Sequence, residues 1–124
     1  MDKYNWTPLT NEEIKWVGVD FDDTLASNSS FPNYIPGEPL PGAVEAMNNL
    51  EARGYKITVF TARPWVDYSN IEKWCEFYDI PVRRIICGKP LFKCVIDDKN
   101  IAFDGDWGKA IEDFNLLGTK TASN

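Results

Sequence analysis

The sequence contains no histidine. That removes histidine nucleophiles, histidine general bases and histidine-ligated zinc from its chemistry. Acid–base work near neutral pH then falls to carboxylates, lysine, tyrosine or cysteine. Cysteine is scarce as well. Cys75, Cys87 and Cys94 are an odd number with no Cys-x-x-Cys spacing. Each sits in an apolar context, so all three are expected as buried free thiols in a reducing cytoplasm. No apolar run approaches the roughly 20 residues of a bilayer span, so no membrane partner is expected. Residues 1–11 show no basic stretch leading into an apolar one, so no secretory signal is expected. Positive charge is in deficit: 13 Lys and Arg face 19 Asp and Glu, a net charge of −6. That balance argues against nucleic acid as the main partner. It leaves room for a small phosphorylated ligand, whose binding a local cation or metal decides.

What is present suits one domain over residues 1–124, with 44% hydrophobic residues to build its core. The stretch that organises the rest is WVGVDFDDTL, residues 16–25. Its β-branched start, residues 17–19, predicts a buried strand that ends in Asp20. Asp22, Asp23 and Thr24 follow at once. Acids crowded at a strand end either shape a polar turn or bind a cation.

Residues 1–15 are polar, with Thr10 and Glu13 spaced as a capping box for a single helical turn. Residues 26–40 hold Pro32, Pro36 and Pro39, which exclude a regular helix. They predict an ordered loop or small flap, whose Phe31 and Tyr34 either pack over what the acids hold or only anchor the loop. Helices are expected at 41–53, 69–78 and 107–117. Their apolar stripes are Val44, Met47, Leu50; then Ile71, Trp74, Cys75, Tyr78; then Trp107, Ala110, Ile111, Phe114, Leu117. Gly54 and Gly118 are the expected helix stops, Asp106 the expected cap of the last helix, and 119–124 a frayed tail. Further strands are expected at 55–60, 82–87, 94–96 and 101–103.

Strands alternating with helices predict an α/β fold: a three-layer αβα domain with a mainly parallel, Rossmann-like sheet of about five strands. Ligands of such sheets bind at the carboxyl ends of the strands. Asp20 and Asp22 come after the first strand and Thr61 after the second. Gly88 and Lys89 follow the third, and Asp97 and Asp98 the fourth. Carboxylates without histidine make an all-oxygen site, which favours Mg²⁺. A lysine and a threonine beside it suit a substrate with negative oxygens, and phosphoryl transfer fits that need.

DFDDTL, FTAR, GKP and CVIDD, in that order and after successive strands, resemble the four motifs of the haloacid dehalogenase superfamily. The usual glycine after the second Asp is Asp23 here. The resemblance implies an enzyme: a phosphatase, or phosphoric monoester hydrolase. Asp20 would be the nucleophile forming an aspartyl-phosphate, and Asp22 the general acid and then base. Asp20, Asp22, Asp97 and Asp98 would hold Mg²⁺. Thr61 would hydrogen-bond a phosphoryl oxygen and Lys89 would offset charge. Lys93 competes for that cationic role. Arg63 either contacts substrate or is structural. Asp23, Asp104 and Asp106 are left as structural.

The gaps 25–41 and 61–89 are too short for a cap domain. An open site accepts a phosphorylated small molecule or an accessible phosphorylated polymer, or is closed by a second copy in a homo-oligomer. Two other classes stay open at this point. One is a receiver-like phospho-signalling module, although the order of its acid pair and acceptor differs. The other is an inactive relative that binds a partner on the same scaffold.

Overall fold

The computed structural model describes residues 15–30 and 35–122. The capping box at Thr10 and Glu13 and the flap residues Phe31 and Tyr34 lie outside the described residues. The elements run β1 (Trp16–Val19), β2 (Ala26–Ser30), β3 (Ile35–Pro39), α1 (Ala43–Ala52) and β4 (Lys56–Phe60). A 3₁₀ turn (Trp65–Asp67), α2 (Tyr68–Phe77), β5 (Arg84–Ile86) and α3 (Trp107–Ala122) follow. The class is α/β. No helix among the described residues is long and apolar enough to cross a membrane.

β1, β4 and β5 form a parallel sheet in the order β1-β4-β5. Val19 pairs with Val59, and Phe60 with Ile86. This register brings the three strand ends to one edge. Asp20, Thr61 and the 87–89 turn therefore emerge together, as the alternating pattern predicts. One face of the sheet packs into the core: Val19, Ile57, Val59 and Ile85 share it by register and are all buried, whereas Phe60 and Arg84 on the opposite face are exposed. The helical stripes fall as expected, with Met47 and Leu50, Ile71 and Trp74, and Trp107 and Ala110 in one core. Asp106 caps α3, its Oδ1 accepting the Lys109 N–H at 3.1 Å.

Four expectations need correction. First, the parallel sheet has three strands among the described residues, because 94–96 and 101–103 form no strand. The apolar run 94–96 is short and lies between Pro90 and a turn in which Asp97 Oδ1 accepts the Lys99 N–H at 3.0 Å. It stays in water, with Ile96 97% exposed, so burial does not offset the entropy of ordering it. Second, Cys94 is exposed for the same reason, whereas Cys75 and Cys87 are buried. Burial pushes the Cys75 thiol up to about 12.

Third, the flap expected at 26–40 is an antiparallel hairpin of β2 and β3. Its base is fixed from outside. Leu25 and Ala26 are fully buried, Leu40 N–H donates to Leu25 O at 2.8 Å, and Trp74 Nε1–H donates to Gly37 O at 2.8 Å. Tertiary contacts override a composition poor in strand formers. Fourth, α3 runs through Gly118 to Ala122. Glycine costs a helix about 1 kcal/mol and does not forbid it.

Candidate functional site

The turn after β1 holds the first motif. Phe21 is fully buried and packs edge-on against Trp74 at 5.0 Å. Its carbonyl accepts the N–H groups of Leu25 at 2.9 Å and Ala26 at 3.0 Å. The chain therefore curls tightly, and its acids stay outside the core. Asp23 takes φ 57°, a left-handed conformation that glycine or a short polar residue adopts most readily. That is the physical reason a glycine suits this position and Asp23 serves. Asp23→Val is expected to lower stability by about 1–2 kcal/mol. Asp23→Gly should stay within about 0.5 kcal/mol. Denaturant midpoints of the two variants check this.

Asp20 Oδ1 accepts the Phe21 N–H at 2.8 Å and lies 3.5 Å from Lys89 Nζ. Two contacts on one oxygen orient the carboxylate. Lys89 itself is positioned by backbone: its N–H donates to Thr61 O at 2.9 Å, and Gly88 N–H donates to Arg63 O at 2.8 Å. The turns after β4 and β5 are thus laced together. Lys93 lies in the exposed 91–100 segment. Of the two lysines, Lys89 is the one whose ammonium stands beside Asp20.

Thr61 is only 1% exposed, and its Oγ1 accepts the Arg63 N–H at 3.1 Å. Its hydroxyl shapes the turn that carries Arg63. Arg63 forks onto Asp22, with Nε–H donating to Oδ2 at 2.9 Å and NH2 to Oδ1 at 2.8 Å. Asp67 lies 3.6 Å away on its other side. The Arg63 side chain is 9% exposed, and its pKa is raised, chiefly by the Asp22 hydrogen bond. A planar guanidinium matches a carboxylate in this bidentate way. Sequence reading noted Arg63 and Asp22 separately and missed the pair. Only the i, i+4 spacing of Arg63 and Asp67 hinted that Arg63 would be held by acids.

A cavity of about 730 Å³ opens between β1 and α3, and Asp20, Thr24, Lys89 and Asp97 reach it. Its remaining wall is largely apolar, including Phe103, Trp107 and Phe114. Trp107 Nε1–H donates to Thr24 O at 2.8 Å and so ties the motif turn to α3. Asp98 stands apart from this cavity. Its carboxylate pairs with Lys99 at 3.2 Å, which holds it below the usual carboxylate range. Asp104 and Asp106 serve α3: Asp104 Oδ2 takes Lys109 Nζ at 3.1 Å.

Asp20, Asp22, Asp97 and Asp98 are not gathered into one centre. Among the described residues no three acids or thiols converge as a metal cluster. The donors that share the cavity, Asp20 and Asp97, are nonetheless hard oxygens. Mg²⁺ commonly takes one or two carboxylates and completes its shell with water and substrate phosphate. The donor set fits that ion in number and kind.

No family model matches this chain, and no curated protein does. Two solved structures resemble it. A target protein from Vibrio cholerae is 21% identical, with a TM-score of 0.67 over 86% of this chain and 98% of that one. A conserved protein from Bacteroides thetaiotaomicron is 23% identical, with a TM-score of 0.59 over 85% of this chain and 90% of that one. At these identities the likeness is one of fold: the α/β arrangement of this chain recurs in these two proteins.

Proposed function

We propose that this chain is a Mg²⁺-dependent phosphomonoester hydrolase that works through an aspartyl-phosphate on Asp20. One observation carries the reading. A strand-end carboxylate and a lysine from another strand end form a 3.5 Å pair at the mouth of a cavity that Asp97 also lines. A structural ion pair needs no cavity; a phosphate site needs both.

An Asp20 carboxylate oxygen attacks phosphorus, and the bond from phosphorus to the ester oxygen breaks. Asp22, once released from Arg63 and having taken up a proton from solvent, gives that proton to the leaving oxygen. Water then attacks the aspartyl-phosphate, passing a proton back to Asp22, and the bond to Asp20 breaks to release phosphate. Lys89 offsets the negative charge that gathers as the oxygens approach. For Asp22 to take part, it must exchange Arg63 for the leaving group, which frees the Arg63 fork for phosphate oxygens. Mg²⁺ held by Asp20 and Asp97 would supply further charge neutralisation and alignment.

The reading also includes a fuller fold, a three-layer αβα domain of about five strands without a cap. Support comes from Leu91, Val95 and Ile96, apolar side chains 57–97% exposed, and from β1 ending the sheet among the described residues. Free thiols suit a reducing, cytoplasmic setting. The test is phosphate release from a panel of phosphomonoesters. Turnover is expected with Mg²⁺, loss with EDTA, and recovery when Mg²⁺ is restored. Turnover indifferent to EDTA would remove the metal from the reading, and no turnover on any ester would remove the hydrolase.

A further inference from the structure

Against Gly88, the residue before Lys89, and outside the lining of the Asp20 cavity, stands an aromatic pair that the hydrolytic steps do not use. Trp65 and Tyr68 stack with ring centres 6.2 Å apart and an interplanar angle of 17°. Trp65 is 58% exposed and Tyr68 37%. A buried tryptophan would need no explanation, but this indole keeps most of its surface in water. Its position is set by the site. It lies two residues after Arg63, and a β-carbon placed on Gly88 would sit 3.4 Å from its Nε1. Gly88 has φ +78°, and it leads directly into Lys89. The indole therefore lies against the very turn that presents the phosphate-side lysine. On the other flank of that lysine, Lys89 Nζ lies 5.4 Å from the ring centre of Phe60, itself 40% exposed.

We propose that the Trp65–Tyr68 stack is a leaving-group subsite, taking a planar aromatic ring carried by the phosphate ester; this rests on the hydrolase reading of Asp20 and Lys89. Tyr68 backs the indole and limits its freedom, so a rigid flat face is offered at low entropic cost. A planar ring is the ligand that gains most from such a face, and stacking tolerates variation in the ring. The net charge of −6 favours a small ester over a nucleic-acid polymer. Two sources share this chemistry: an aryl phosphate, with the ring on the ester oxygen, and a nucleoside monophosphate, with the ring one sugar away.

The experiment measures kcat and KM of the full chain and of its Trp65→Ala and Trp65→Phe variants. The substrates are p-nitrophenyl phosphate, adenosine 5′-monophosphate and ring-free glycerol 3-phosphate. Trp65→Ala is expected to cut kcat/KM about tenfold or more on a ring-bearing ester, mostly through KM. Glycerol 3-phosphate should be handled as before, and Trp65→Phe should recover most of the loss. A loss on p-nitrophenyl phosphate alone assigns the aryl source, and one on adenosine 5′-monophosphate alone the nucleoside source. Equal losses on all three, or none on either ring-bearing ester, overturn the subsite. If nothing is hydrolysed, equilibrium binding of adenosine 5′-monophosphate and p-nitrophenyl phosphate decides. Weakening about tenfold in Trp65→Ala keeps the subsite while the hydrolase reading falls. Undetectable or unchanged binding removes both.

Discussion

Asp20→Asn is expected to reduce phosphate release by about a thousandfold or more while the protein still folds. The two halves of this expectation have separate causes. Asparagine keeps an Oδ1 that can accept the Phe21 N–H, the 2.8 Å bond that orients the native carboxylate. The Asp20 side chain is 42% exposed, so the change creates no cavity and no buried orphan. The lost attraction to Lys89 is a partly solvated pair, which contributes about 1 kcal/mol or less. The chemistry has no such reserve. A neutral amide oxygen is a poor nucleophile, and removal of a reacting group costs enzymes several orders of magnitude in rate. Initial rates on any accepted ester, with circular dichroism as the folding control, decide the matter. Activity within tenfold of the parent would place the nucleophile elsewhere.

Lys89→Ala is expected to cost about a hundredfold to a thousandfold in kcat/KM. Stability should move little. The backbone bonds that fix this residue, from its own N–H to Thr61 O and from Gly88 N–H to Arg63 O, survive the substitution. What disappears is the ammonium beside the attacking carboxylate. Two anions, Asp20 and the phosphate, must approach each other, and without a cation between them the repulsion enters the barrier directly. Lys93→Ala is the matched control, because Lys93 lies in the exposed 91–100 segment. Its rate should equal the parent's. The reverse pattern, with Lys93 essential and Lys89 dispensable, would show that the segment swings over the site during turnover. Steady-state kinetics of the two variants side by side distinguish these outcomes.

Much of the architecture was legible from periodicity and punctuation. β1, β4 and β5 read correctly because their short apolar, β-branched runs bury one face and are followed by turn residues. α2 read correctly because Ile71, Trp74 and Cys75 recur at helical spacing and are all buried. The shared edge holding Asp20, Thr61 and Lys89 followed from parallel order alone. Other features had no local signal. The hairpin of β2 and β3 is built from serine, asparagine, proline and glycine, and Trp74, 37 residues from Gly37, pins it. The fork of Arg63 on Asp22 spans 41 residues. No spacing rule reports such a pair, since it exists only once two strand ends meet. The run at 94–96 misled because three apolar residues state a preference for burial without supplying the area to enforce it.

The bond from Trp107 Nε1 to Thr24 O joins residues 83 apart. A ribosome releases the Asp20 turn long before it releases the indole that pins it. Contacts of such long sequence separation close late, after local structure has formed. The pinned form of this turn is therefore withheld from a nascent chain until translation has passed Trp107. A fragment that stops short of that residue should carry every acid of the first motif and still lack the anchor that steadies them.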